Sequence, residues 1–585
     1  MGVAGAKPSP ESSHAFRRAD LQPTRFSSPL QYTMRHLLRP ARLFALSLVS
    51  TALLAACGGG DDEERTPTSL TLSKIGGYAH AGGESSAEIT AFDPLSKRLF
   101  VVNGAQGTVD VLDLSDPTSP KLVGSIAASA LGTGLAGINS VAVYNGIVAL
   151  AVEASPKQNN GVVAWVRARD LAVLGTDTVG ALPDMLTFSP DGQHLLVANE
   201  GEPNSYGQPD SVDPEGSISL IAVSGLSPTA TTLSRTVTQL GFTAFNSQVD
   251  ALRAAGVRIF GPGATVAQDL EPEYITVSAD SKTAYVTLQE NNAVAVVDIA
   301  SKAITAIKPL GTKNHNLAGM GMDVSDEDGG THTNSGTPAI KIAPVPTKGL
   351  YLPDAIASYQ VAGKTYLVTA NEGDARDYTG FTEEVRIRAH CDKGLDPTVF
   401  ANADQLILDS NLGRLRVTAS PNGHLSGKNA AGQCTELYTF GARSFTVWDA
   451  ASVTPMFDSG DAFEKATTAL PNAAFNASNS NNDLDSRSAS KGPEPEGVAL
   501  GKIGNKTFAF IGLERVGGVM VYDVSNPSAP VYVTYLNTRQ GTGGDRGPEG
   551  LAFVSAKDSP NGKPLLIVGN ETSGTTAVLQ LNLSY

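Results

Sequence analysis

The feature that most limits what this chain can become is a phrase repeated seven times between residues 88 and 581. An acidic or amide residue, often after proline, opens a short apolar strand. A turn follows, then a second β-rich strand that ends in Asn or Glu, then a third that often closes on Asp. The first strands open at Glu88, Asn139, Asp184, Glu273, Asp354, Glu496 and Glu549. The second strands end at Asn103, Glu153, Glu200, Glu290, Glu372, Glu514 and Glu571. One such unit is too small to bury its own faces. Seven stacked radially cover each other and leave only short edges. The expected fold is therefore all-β, a seven-bladed β-propeller over residues 73–585; a pair of β-sandwiches suits the regular repeat less well.

Composition fits this reading. Length alone would suggest about three to five domains at about 100–200 residues each, but 60 Gly and 34 Pro with only 17% charged residues describe one turn-rich β protein. Irregular spacing marks insertions at 201–260, 299–348 and 378–440, expected as loops or small excursions on the propeller faces. One short helix is expected over Gln248–Gly256, with Gly256 as its stop.

Six of the seven residues in each row are carboxylates. An inner strand starts, and its antiparallel neighbour ends, at the same face, so both rows should converge on one channel mouth. So many like charges near one axis require cations or proton uptake. Asp184, Glu200, Glu273, Glu290, Asp354, Glu372, Glu496, Glu514, Glu549 and Glu571 are the candidate ligands, and Ca²⁺ is the expected cation. The alternative is a ladder of carboxylates that lock blades together by accepting backbone hydrogen bonds.

Cations also crowd these segments. Asn371-Glu372-Gly373-Asp374-Ala375-Arg376-Asp377-Tyr378 sets three carboxylates and an arginine on a tight loop. Glu514-Arg515, Asp485-Ser486-Arg487 and Glu384-Val385-Arg386 add more arginines, able either to grip an acidic or phosphorylated ligand or to serve as counter-ions. If the mouth were catalytic, as a metal-dependent phosphoester hydrolase, Glu372, Asp374, Arg376, Glu496, Glu514 and Arg515 would be its working set. The segment from Asp323 to Gly330 has the carboxylate density of a Ca²⁺ loop but not EF-hand positions, and reads as an acidic solvated turn. No nucleophile elbow, His-Glu-x-x-His or P-loop occurs, and His332 reads as a surface residue. A net charge of −15 makes nucleic acid an unsuitable partner.

The N-terminal region carries an address. Basic residues over Met34–Arg42 precede an apolar run over Leu43–Leu53, too short to span a bilayer and shaped like a secretion signal. Leu54-Ala55-Ala56-Cys57 resembles a bacterial lipobox, followed by Gly58-Gly59-Gly60-Asp61-Asp62-Glu63-Glu64. The expectation is an upstream extension and signal over 1–57, with Met34 as initiator, diacylation of Cys57 as the membrane anchor, and a flexible acidic tether over 58–72. An ordinary signal peptide with an incidental cysteine is the alternative. Gly58 after the cysteine points to an outer-membrane lipoprotein, periplasmic or at the cell surface. Export leaves Cys391 and Cys434 in an oxidising compartment, where a disulfide between them is expected, closing the polar, Gly-rich loop; two buried thiols are the alternative.

Several phrases together resemble a known family: Pro272-Glu273-Tyr274-Ile275, Leu288-Gln289-Glu290-Asn291-Asn292, Pro353-Asp354-Ala355-Ile356-Ala357, Thr369-Ala370-Asn371-Glu372-Gly373-Asp374-Ala375-Arg376, Lys491-Gly492-Pro493-Glu494-Pro495-Glu496-Gly497 and Gly512-Leu513-Glu514-Arg515. They resemble the choice-of-anchor I proteins of bacteria over roughly residues 70–582. Those proteins are similar to mesenchyme-specific cell-surface glycoproteins associated with animal biomineralisation. The resemblance implies an exported, surface-attached propeller with a YVTN-like blade pattern. Members are often labelled alkaline phosphatase, but this chain lacks the Asp-Ser-Ala nucleophile pattern of that enzyme. With no sorting tail read at Asn582-Leu583-Ser584-Tyr585, anchoring is expected to fall on Cys57. The leading functional reading is a surface propeller that binds Ca²⁺ or an acidic ligand; the others are the hydrolase and a protein-interaction scaffold.

Overall fold

The computed structural model describes residues 65–329, 337–419 and 427–585. Cys57, the signal, the first part of the tether and His332 lie outside the described residues.

Seven four-stranded antiparallel sheets carry the chain. Six are built from consecutive segments, 90–127, 135–181, 183–241, 272–309, 356–458 and 495–536. The seventh joins both ends of the described chain: strand Ser69–Ala79 pairs with Thr575–Ser584 beside the strands Leu565–Asn570 and Pro548–Val554. Residues 69–72, expected in the tether, thus belong to the sheet, because Leu70 and Leu72 are buried in it.

Each sheet buries both faces between its two neighbours. Leu195 and Val197 of the third sheet pack with Trp165 of the second, while Leu196 and Ala198 pack with Ile275 and Val286 of the fourth. The cycle closes where Leu99, Val101 and Leu112 of the first sheet meet Leu565, Ile567 and Val578 of the last. This is a β-propeller arrangement. Being covered on both faces explains why second strands such as Arg98–Asn103 and Leu565–Asn570 read as continuous apolar runs. Outer strands such as Lys121–Ala127 are mostly exposed on the rim.

Inner strands contact one another in succession around the cycle. The hairpins linking first to second and third to fourth strands are short, the longest spanning 555–564. Every long connection leaves from the end of a second strand or enters the start of an inner one, and the longest is 371–444. By strand direction these all lie on one face, the face that holds both acidic rows.

The insertions differ from expectation in three ways. The stretch 201–260 contains two strands of the third sheet, the buried Ser217–Ser224, in which serines interrupt the apolar run, and the outer Ser234–Gly241, whose polar residues suit a rim position. A further insertion, 459–494, adds to the three expected. And the long connections are packed structures: Met322, Val345, Ile387, Leu395, Leu415, Cys434 and Leu437 share a hydrophobic core apart from the sheets. Cys391 and Cys434 are bonded within that core, with Cα atoms 5.6 Å apart. The expected helix runs over Val249–Ala255 with Gly256 left-handed at its end, and short helices also form at Val266–Asp269, Ile387–His390, Ala403–Leu406 and Ala462–Thr467.

Candidate functional site: an acidic ring under a loop roof

The local cause of the ring is a Pro-acid step. In four sheets the inner strand begins with Pro183-Asp184, Pro272-Glu273, Pro495-Glu496 or Pro548-Glu549, and ladder register shifts directly after the proline. Proline has no N–H to donate and is tolerated at a strand's first residue. The bulge that follows leaves the carboxylate residue outside the ladder, a position that re-aims its side chain.

The first row converges electrostatically from sheet to sheet. Burial pushes the Glu549 carboxyl well up, and Glu88, Glu571, Asp354 and Glu514 push it further. Burial acts likewise on Glu273, reinforced by Glu290, Glu200, Asp354 and Asp184, and on Glu496, reinforced by Glu514, Glu549, Glu372 and Asp354. Asp354 is raised by burial and by Glu372 and Asp184. Glu200 is raised by burial, Glu202 and Asp184. Glu88 is pushed up to about 8 by burial, Glu571 and Asp184. Asp184 and Glu290 both rise to about 7, chiefly by burial. Residues of sheets that are not neighbours, such as Asp184 and Asp354, therefore feel one another. The one amide in this row, Asn139, donates to Pro183 O at 3.1 Å.

Part of this ring lacks a bonded counter-ion. Glu273 Oε2, Glu290 Oε2, Glu496 Oε2 and Glu549 Oε2 are buried without a hydrogen-bond partner. Glu273 and Glu290 are only 8% and 5% exposed. Among the described residues none of the four is in an ion pair. Glu571 accepts from Ser85 Oγ at 2.9 Å.

Another part is paired with cations. Glu372, Glu494 and Glu514 bring carboxylate oxygens within 4.8 Å of one another. Lys491 Nζ lies 2.8 Å from Glu372 and 3.3 Å from Glu494. Arg515 reaches Glu494 at 2.9 Å and Glu514 at 3.0 Å, and Arg487 pairs with Glu494. Against burial, Lys491, Arg487 and Arg515 hold the Glu494 carboxyl down at about 2. Asn479 donates to Glu514 at 3.1 Å and Gln289 to Glu372 at 2.9 Å. Asp374 is exposed, at the edge of this cluster, 3.5 Å from Lys491.

Arg376 is not on this surface. It is wholly buried, 2.7 Å from Asp269 and 3.0 Å from Glu271, and donates to Asp269 O. Its guanidinium also faces the Phe260 ring at 4.6 Å. Arg258 pairs with Glu383 in the same roof. Tyr378 donates to Glu202 at 2.8 Å, and Arg386 donates to Arg414 O. The arginines singled out by sequence are thus bound to groups of the chain itself. The loops that carry them pack against the ring, where Lys491 meets Glu372 and Tyr378 meets Glu202.

Lys491, Glu271, Asp269 and Glu494 escaped sequence reasoning, yet a signal was present. Glu271-Pro272-Glu273 and Glu494-Pro495-Glu496 are the same tripeptide. In both, the first glutamate is buried against arginine and the second opens the inner strand in the acidic ring.

Comparison with known proteins supplies the remaining context. A family model for the choice-of-anchor I domain matches residues 88–527. The chain is 30% identical over 343 residues to the mesenchyme-specific cell surface glycoprotein of Strongylocentrotus purpuratus, covering 52% of this chain and 42% of that one. It is 27% identical over 191 residues to Gigasin-3a of Magallana gigas, covering 30% and 66% respectively. The chain thus spans less than two thirds of the length of these curated relatives. Similar solved structures include the Kuenenia stuttgartiensis hydrazine synthase, with TM-score 0.41 and 15% identity over 85% of this chain and 96% of that one. Another is the Myceliophteria thermophila Cps50 (Swd1) β-propeller domain, with TM-score 0.38 and 9% identity over 87% and 99%.

Proposed function

The chain belongs to the choice-of-anchor I family, and we propose that it acts as an exported, lipid-anchored surface protein whose seven-bladed propeller binds Ca²⁺ in the acidic ring. The cyclic packing of seven four-stranded sheets supports the blade count. The likeness to a protein named as a cell surface glycoprotein supports the location, and the lipobox-like Leu54-Ala55-Ala56-Cys57 supports the anchor. Cys57→Ser is expected to release the protein from membranes or to block its maturation; wild-type protein found soluble with its signal intact would overturn the anchor.

One observation carries the cation. Glu273, Glu290, Glu496 and Glu549 each bury a carboxylate oxygen that no group of the chain satisfies. An unpartnered buried charge is costly, and a hard cation with oxygen ligands relieves both the repulsion and the missing bonds. The same accounting weakens the hydrolase reading, because Arg376 and Arg515 are already bound to carboxylates. It likewise favours a cation over an acidic or phosphorylated ligand.

The test is a Ca²⁺ titration of the exported chain, read by bound-ion stoichiometry and melting temperature. A native-state ligand at about a hundredfold excess over its Kd stabilises by about 2.7 kcal/mol. Glu273→Gln with Glu496→Gln should shrink that shift. If chelation leaves melting and stoichiometry unchanged, the ring is held by protons and the Ca²⁺ reading fails.

A further inference from the structure

Outside the ring, a second acidic cluster joins two of the long connections. Asp323, Asp328 and Asp485 bring carboxylate oxygens within 4.8 Å of one another. Sequence alone made the first two part of an acidic solvated turn. The structure corrects this: Asp323 and Asp485 are both 0% exposed, and Asp328 is half-buried.

Spacing of this kind does not by itself make a cation site. Glu372, Glu494 and Glu514 have the same spacing and are filled by Lys491, Arg487 and Arg515. The decisive question is where the local cations go. Near Asp323 they go elsewhere: Arg414 takes Asp326 at 2.6 Å and Glu327 at 3.2 Å, and Arg443 takes Glu464 at 2.6 Å. Lys341 acts on Asp328 only from a distance. Among the described residues none of the three aspartates is in an ion pair.

The independent observation is Asp485 Oδ2, which is fully buried and has no hydrogen-bond partner. Its companion Oδ1 accepts from Ser488 Oγ. Asp323 is held rigidly: its N–H donates to Glu464 Oε2 at 2.8 Å, and its carbonyl accepts from Arg443 at 2.6 Å. Its carboxylate takes the amides of Lys341 and Ser325, and Asp328 takes that of Ala339 at 3.2 Å. Three oxygens this close, on pinned backbones, suit one hard cation: Ca²⁺–oxygen distances of about 2.3–2.6 Å place ligand oxygens no more than about 5 Å apart.

We propose that Asp323, Asp328 and Asp485 form a structural divalent-cation site of the Ca²⁺ class, separate from the ring, that clamps the 310–355 connection to the 459–494 connection. Burial and mutual repulsion push Asp323 to about 7 and Asp485 to about 8, so a proton is the cation's competitor there.

The experiment measures Ca²⁺ stoichiometry and melting of the full exported chain, as wild type, Asp485→Asn, Asp328→Asn, and the ring pair Glu273→Gln/Glu496→Gln. The expected result is loss of one bound ion in each aspartate variant, with that ion retained in the ring variant. In chelator, Asp485→Asn should melt at or above wild type; with Ca²⁺ saturating, it should melt below. Failure of the ring reading alone would leave one ion in wild type, still lost in the aspartate variants. Should Asp485→Asn not fold, the half-buried Asp328→Asn gives the same readout. Stoichiometry and Ca²⁺ shift equal to wild type in the aspartate variants would overturn the proposal.

Discussion

The ammonium of Lys491 sits 2.8 Å from the carboxylate of Glu372, a residue 119 positions earlier in the chain. Both groups are almost fully enclosed, and Gln289 donates to the other oxygen of Glu372. The pair joins the longest connection, 371–444, to the connection that ends at the Glu494-Pro495-Glu496 step. It therefore supplies a counter-charge to the mouth from a segment outside every strand.

Replacing that cation tests its role. Lys491→Met leaves Glu372 and Glu494 with one counter-charge fewer, and breaking a buried pair costs about 3–5 kcal/mol. The expected outcome is a lower melting temperature in chelator, together with a larger Ca²⁺-induced rise than in wild type, because the triad has lost a resident cation. Unchanged melting in chelator would show that Arg487 and Arg515 suffice.

Arg376 gives a sharper case. Arg376→Met strands Asp269 and Glu271 in a fully buried site, with an expected loss of about 3–5 kcal/mol in denaturant unfolding. Arg376→Lys should recover only part, since the guanidinium fork meets Asp269, Glu271 and the Asp269 carbonyl together. A variant with normal stability but altered Ca²⁺ binding would place Arg376 in the ligand site instead.

Reducing the disulfide should act locally. Cys391 and Cys434 are 43 residues apart in sequence, and the chain-entropy model gives such a loop about 4 kcal/mol as an upper figure. Hydrogen exchange after Cys391→Ala/Cys434→Ala should show lost protection over 387–417, whose side chains share the core around the bridge. Strand His194–Asn199 should keep its protection. Equal loss in both regions would mean that the roof and the sheets unfold as one unit.

His315 predicts a pH dependence. Burial pushes its pKa well below the ordinary value, Lys313 and Arg443 add to this, and its contact with Met320 O opposes it. The unfolded chain takes up the proton near pH 6.5, whereas the folded chain does not. Stability contributed by the neutral ring is therefore present above about pH 6.5 and is lost below it, by up to about 1.4 kcal/mol per pH unit. His315→Gln should flatten the unfolding free energy relative to wild type between pH 6.5 and 5. Parallel profiles would exclude the ring as the source.

Much of the architecture was written locally. The alternation of short apolar runs with Pro-acid steps and Ser-Pro or Asp-Gly turns recurs because every sheet solves the same burial problem, and a repeated problem leaves a repeated phrase. Pro183-Asp184, Pro272-Glu273, Pro495-Glu496 and Pro548-Glu549 could be read as equivalent positions because a strand start beside proline is a property of adjacent residues. What each carboxylate meets was decided elsewhere. Glu494 meets Arg515 and Lys491, Glu271 meets Arg376 across 105 residues, and Asp485 meets Asp323, while Glu273 meets no cation at all. Glu271 and Glu273 stand two residues apart in one phrase, yet one is paired and the other is not. Coulomb energies depend on distance through space and on exclusion of water; the connections that bring arginine and lysine to some carboxylates, and withhold them from others, come from segments distant in sequence that only the folded chain places together.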